Sequence, residues 1–172
     1  MNVNRYLVIN MALSRNWNPF AKQQIQFPEA LKSQAIELCR KNKDLEGNAR
    51  LPHESPFERY LDLWMLALVV GRANKQFSIN EKLDGGFYEG SGLQGDIDKI
   101  LVILAVAISH EDNDIKVIND PAKCIQIANA YAAGGLQILI SNARKGGRSV
   151  LENLSKFVQK PPSTIEDIDP FL

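Results

Sequence analysis

The sequence predicts an all-α single domain, a bundle of five or six helices carrying an N-terminal arm, either a short strand or part of a helix. Three observations carry this expectation. Three blocks, residues 57–72, 97–109 and 122–143, hold apolar side chains at helical spacing and contain few charges. Each follows a helix-start signal, Ser55-Pro56, Asp96 or Asp120-Pro121. The composition, 45% hydrophobic and 23% charged over 172 residues, is that of one globular domain able to bury a core without disulfides or metal. An amphipathic surface helix alternates polar and apolar faces more than these blocks do, so the three are expected to cover one another as the core.

The expected organisation is an arm at 1–27, a helical domain at 28–160 and an acidic tail at 161–172. In the arm, Tyr6-Leu7-Val8-Ile9 reads either as a strand or as part of a helix continuing through Met11 and Leu13. Trp17-Asn18-Pro19-Phe20 then breaks regular structure, because the residue before proline avoids the helical region. Trp17 and Phe20 mark a docking segment, either onto the chain's own core or into the groove of a partner subunit.

Pro28 suits the first position of a helix, with Leu31, Ala35, Leu38 and Cys39 on one side and an end near Asn42. A polar linker, 43–54, leads to the central helix. There Ser55 as N-cap, Pro56 at the first helical position and Glu58 make a capping-box arrangement, and Arg72 suits the negative pole at the far end. Residues 73–95 read as a loop with five glycines, whose Phe87 and Tyr88 either pin it to the body or contact a partner. The loop lacks the Gly-Lys-Ser/Thr of a phosphate-binding loop and any dinucleotide fingerprint.

Asp96 is expected to cap the second apolar helix, and His110-Glu111-Asp112-Asn113-Asp114 to end it. Asp120-Pro121 opens the third, which carries Gly134-Gly135 in mid-pattern. Each such glycine costs about 1 kcal/mol relative to alanine, so the pair needs a reason. It marks close approach of a neighbouring helix or a break into two helices; the unbroken phase of the pattern favours close approach. Arg144-Lys145-Gly146-Gly147-Arg148 closes this helix, and Ser149 caps a last short one at 150–159. The tail presents Ile165, Ile168, Phe171 and Leu172 among acidic residues.

Chemistry is constrained by histidine supply, since only His53 and His110 exist. A triad drawn through Ser55 and His53 lacks an elbow motif, and Ser55 is explained as a helix cap. His110 with Asp112 and Asp114 is the candidate for a small metal-dependent nuclease or hydrolase, but the calcium-loop pattern is missing. No metal and no cofactor is expected. Net charge is zero, so no global basic field holds nucleic acid, and the local candidate for DNA contact is the basic Gly-rich loop with Arg144, Lys145 and Arg148. Cys39 and Cys124 lie in apolar helical patterns and are expected as free, buried thiols. No signal-peptide pattern is found, and the longest uncharged apolar run, 63–71, falls short of the ~20 residues a membrane span needs, so a cytoplasmic protein is expected.

Two segments carry a resemblance. They are Leu61-x-Leu63-x-x-Leu66-Ala67-Leu68-x-x-Gly71-Arg72, and Ile115-x-x-Ile118-x-Asp120 followed by Ile127-Ala128-x-x-Tyr131-Ala132-x-Gly134-Gly135-Leu136-x-Ile138-Leu139. Their order and spacing resemble small helical proteins encoded beside bacterial DNA-phosphorothioation (Dnd-type) and related anti-phage defence systems. The resemblance spans about residues 57–143. It implies a non-catalytic accessory or adaptor subunit with no catalytic residues to carry over, bridging nuclease and ATPase (SMC-like) or DNA-modification components. Partner contacts are then expected from Trp17, Phe20, Phe87, Tyr88, Phe171 and Leu172.

Overall fold

A computed structural model describes residues 17–40, 48, 50–79, 82–84 and 88–159. Within these, five α-helices follow one another: α1 (Lys32–Glu37), α2 (Tyr60–Ala73), α3 (Ile97–His110), α4 (Pro121–Ala143) and α5 (Val150–Gln159). Two short strands, β1 (Gln24–Ile25) and β2 (Tyr88–Glu89), pair antiparallel with Gln24 opposite Glu89 and Ile25 opposite Tyr88. The fold is all-α with a short N-terminal strand, as expected.

The centre is the packing of α2 on α4. Trp64, the largest fully buried side chain, sits on α2 with Leu61, Leu63 and Leu68; Leu136 and Leu139 of α4 are equally enclosed. Two glycines, Gly71 and Gly135, let the two backbones approach more closely than side chains normally allow, and a third, Gly134, admits the chain just beyond α2. A Cβ on Gly71 would collide with the carbonyl of Tyr131 and lie 3.0 Å from Gly135 N. One on Gly135 would collide with the Ala67 carbonyl and lie 2.6 Å from Gly71 N. One on Gly134 would stand 2.5 Å from Gln76 O. The pair at 134–135 is therefore a close-approach site within one unbroken helix. Gly71 and Gly135 come from the two segments that carry the family resemblance, so that resemblance records a packing lock. α4 is long and apolar enough to cross a bilayer, but 78% of its most apolar window is buried in protein.

Helix starts follow local signals where nothing competes. Asp120 accepts a hydrogen bond from Lys123 N at 3.0 Å and caps α4. Ser149 and Glu152 form a full capping box, Glu152 N donating to Ser149 Oγ and Ser149 N to Glu152 Oε2. At Ser55 the expectation is corrected, because α2 begins at Tyr60 with Arg59 in the N-cap position. Ser55 is buried, and its hydroxyl donates to the Glu37 carbonyl at 2.5 Å. Phe57 bridges to Cys39, with Arg40 N donating to Phe57 O and Phe57 N to Leu38 O. These long-range bonds hold 55–59 extended against the end of α1 and outweigh a cap worth about 1 kcal/mol.

Two further starts differ. Asp96 makes no side-chain cap, because its carboxylate faces Lys99 Nζ at 2.9 Å and Arg59 at 3.6 Å. The helix expected from Pro28 is a 3-10 turn, Glu29–Leu31, followed by the short α1. Pro28 bridges to Leu83, and the Cys39–Phe57 bridge takes over where the apolar pattern continued. The continuation to Asn42 and the segment Tyr6-Leu7-Val8-Ile9 lie outside the described residues.

The described part of the N-terminal arm is strapped across the body. Phe20, Ile25 and Phe27 are buried, and Asn18 donates to Gly90 O at 2.8 Å. Its clasp is Asn129, a buried amide on α4. The Asn129 oxygen accepts from Gln26 N and from Trp64 Nε1, both at 3.1 Å, and its nitrogen donates to Gln24 O at 3.1 Å. One side chain thus ties β1, α2 and α4 together, and every polar atom it brings into the core is satisfied.

Candidate interaction surfaces

The His110 candidate resolves into an aromatic cluster. Phe77 stacks on the His110 ring with centroids 4.4 Å apart, and Tyr131 meets His110 edge-on at 5.6 Å. His110 Nδ1 lies 3.1 Å from the Tyr131 hydroxyl. Arg72 sits over the Tyr131 ring, 5.6 Å from its centroid, and donates to Ser109 Oγ. The acidic neighbours are engaged separately, Glu111 with Lys123 and Asp114 with Lys116 N. Asp112 and Asn113 adopt positive φ, 50° and 66°, at a tight turn. Among the described residues no three His, Cys, Asp or Glu side chains converge to hold a metal. The cluster borders an open cleft of ≈ 460 Å³ lined by Gln26, Phe77, His110, Lys123 and Asn129 among others.

Ser55 cannot form a dyad with His53, since its hydroxyl is spent on Glu37 O. His53 is exposed beside Glu54, Nε2 to Oε1 3.8 Å. Cys39 and Cys124 are both free and buried. Burial, with Asp62 adding to it, pushes the Cys39 thiol up to about 12; burial, with Asp120 adding, pushes Cys124 to about 11. Cys124 also donates to Val117 O at 3.3 Å. Both thiols are expected to resist a thiol reagent at pH 8 in the native protein and to react at once in denaturant. Because the folded state holds these protons more tightly than the unfolded chain, stability should fall as pH rises above 9. Fast native labelling at pH 8 would contradict the burial.

The residues singled out for contact fall into different settings. Phe20 has no exposed surface, so its ring is a core group that anchors the arm and is not available to a partner. Trp17 and Tyr88 are half-buried and pack on the core. Phe87, Phe171 and Leu172 lie outside the described residues. Arg144, Lys145 and Arg148 are exposed between α4 and α5; Arg144 pairs with Glu37 and Lys145 donates to Asn142 Oδ1 at 2.9 Å.

Two features escaped sequence reasoning. The one signal for Asn129 was its place in an apolar stretch of α4, between Ala128 and Ala130, where a buried amide needs hydrogen-bond partners. A second feature is an apolar groove of ≈ 200 Å³ between α2 and α5, lined by Leu66, Val69, Val70, Ala73, Phe157 and Val158. Val69 and Val158 are 47% and 55% exposed. No sequence signal announces it, because it exists only where two helices distant in the chain meet.

The fold and these surfaces define a small helical protein built on one glycine-locked helix pair, with an apolar groove between α2 and α5. The chain belongs to the family described as DNA sulphur modification system-associated protein 4, whose model matches residues 43–167. No curated protein and no solved structure matches it. The family association agrees with the Dnd-type resemblance carried by the α2 and α4 motifs.

Proposed function

We propose that this protein is a non-catalytic adaptor subunit of a cytoplasmic anti-phage defence complex. It bridges a nuclease or an SMC-like ATPase to a DNA-modification component. The family's description as associated with a DNA sulphur modification system supports a role beside other proteins. The observation that carries the reading is the groove between α2 and α5, where Val69 and Val158 leave apolar surface open. Trp17 and Tyr88 offer further half-buried aromatic surface, and Phe87, Phe171 and Leu172 extend the contact set along the loop and tail.

The test is co-purification from a host expressing the surrounding genes. The wild-type chain is expected to bring down a neighbouring-gene product, and the double variant Val69→Asp, Val158→Asp to lose it. Both sites are exposed, so stability should change by only about 0.5 kcal/mol. A wild-type protein that stays a lone monomer and captures no neighbour overturns the adaptor reading.

A further inference from the structure

Zero net charge hides an uneven placement of charge among the described residues. α4 has 23 residues and so spans about 34 Å. Around its first turn stand Glu111, Asp112, Asp114 and Asp120, answered by Lys116 and Lys123. Around its last turn the balance reverses. Arg144, Lys145 and Arg148 follow α4 directly, and the fold adds cations from a distant part of the chain. Arg50 Nη1 donates to the Glu37 carbonyl at 3.0 Å while Arg144 Nη2 meets the Glu37 carboxylate at 2.5 Å, so both arginines converge on one residue. Arg40 lies three residues beyond it, at the end of α1. The N-terminus of α5 joins the same region, because Leu151 N donates to His53 O and Asn153 Nδ2 to Ala143 O.

Among the described residues this end carries the cations Arg40, Arg50, Arg144, Lys145 and Arg148 against the carboxylates of Glu37, paired with Arg144, Glu54, beside His53, and Glu152, in the capping box. The guanidinium groups are not saturated. Arg40 Nε and Arg50 Nε are both buried without a hydrogen-bond partner. Those two atoms are enclosed and out of reach of an incoming molecule, so anion contact at this end falls to the exposed Arg144, Lys145 and Arg148 side chains, whose charge-assisted hydrogen bonds suit an anionic oxygen. Gly146 at φ 73° and Gly147 leave the connecting backbone bare of side chains, so a bulky polyanion can approach it closely.

We infer that the basic end formed by Arg40, Arg50, Arg144, Lys145 and Arg148 is a docking face for the phosphate backbone of duplex DNA. The described residues of the face offer cations without exposed aromatic rings, and single-strand binders need such rings as stacking platforms. Base readout needs side chains that enter a groove, so recognition here is of the backbone and independent of sequence. The proposal stands apart from the adaptor reading, since it uses the N-terminal end of α5, where the groove uses Phe157 and Val158 near its C-terminal end, and needs no partner protein.

The test is fluorescence anisotropy of the full chain with a short labelled duplex of random sequence across a salt series. If Arg144, Lys145 and Arg148 each neutralise one phosphate, affinity should fall roughly 40-fold between about 50 and 200 mM salt. Lys145→Ala with Arg148→Ala, both exposed sites, should reduce the salt slope by about 2 and leave the melting temperature unchanged. Glu37→Gln, which releases Arg144 and removes a competing charge, should tighten binding. Failure of the wild type to bind at about 50 mM salt, or equal slopes for wild type and double variant, overturns the proposal. So does retention of an acidic polypeptide by the same residues with no binding of duplex, which would assign the face to an acidic protein.

Discussion

Gly135→Ala is expected to destabilise the protein by about 3 kcal/mol or more, although alanine is the better helix former by about 1 kcal/mol. The new methyl group has nowhere to go. It would overlap the Ala67 carbonyl, which is bonded within α2 and cannot rotate aside, and stand 2.6 Å from Gly71 N. Relief requires the two helices to move apart, and separation loosens contacts along the whole buried face that includes Trp64, Leu68, Leu136 and Leu139. Urea unfolding followed by circular dichroism measures the loss. Gly147→Ala is the control: nothing lies within 4 Å of its built Cβ, so its effect should stay within about 0.5 kcal/mol. Equal midpoints for the two variants would refute the lock between α2 and α4.

Asn129→Leu is the second large effect, expected to cost about 3–4 kcal/mol. Leucine fills the volume but strands the Gln26 N–H, the Trp64 indole N–H and the Gln24 carbonyl. Each buried group left without a partner costs about 1–3 kcal/mol, reduced here where the arm can swing out to water. The loss should therefore be local before it is global. Hydrogen exchange at Gln26 and through β1 should accelerate strongly, while α4 near Leu136 and Leu139 keeps most of its protection. Uniform protection across β1 in the variant would show that the strap is held by Phe20, Ile25 and Phe27 alone.

Much of this architecture could be read in advance, and for a plain reason. The three apolar blocks are long, and the bias of a long helix sums over many residues, so α2, α3 and α4 appear close to where their patterns place them. Gly134-Gly135 announced close approach because the apolar phase ran through the pair unchanged. The caps at Asp120 and Ser149 form because nothing distant competes for those side chains.

The failures share one cause. Ser55 carried as good a local signal as Ser149, yet its hydroxyl goes to Glu37 and its neighbours pair with the end of α1. Asp96 was diverted by Lys99 and Arg59 in the same way. Local cap energies of about 1 kcal/mol decide an outcome only when tertiary hydrogen bonds do not outbid them. Phe20 stood as a contact residue because its sequence neighbours are polar, and only the packed structure reveals the surface that covers it.

Alone, the sequence determined the class of fold, the identity of the core helices and the Gly134-Gly135 pair as a point of close approach. Those properties reside in the order of side chains along one helix, where spacing and volume are written residue by residue. Tertiary structure alone decided where the arm docks, that Asn129 clasps it, and that Arg40 and Arg50 join the cations after α4. Those are relations between segments up to about a hundred residues apart, and no periodicity along the chain encodes which distant surfaces come to face each other.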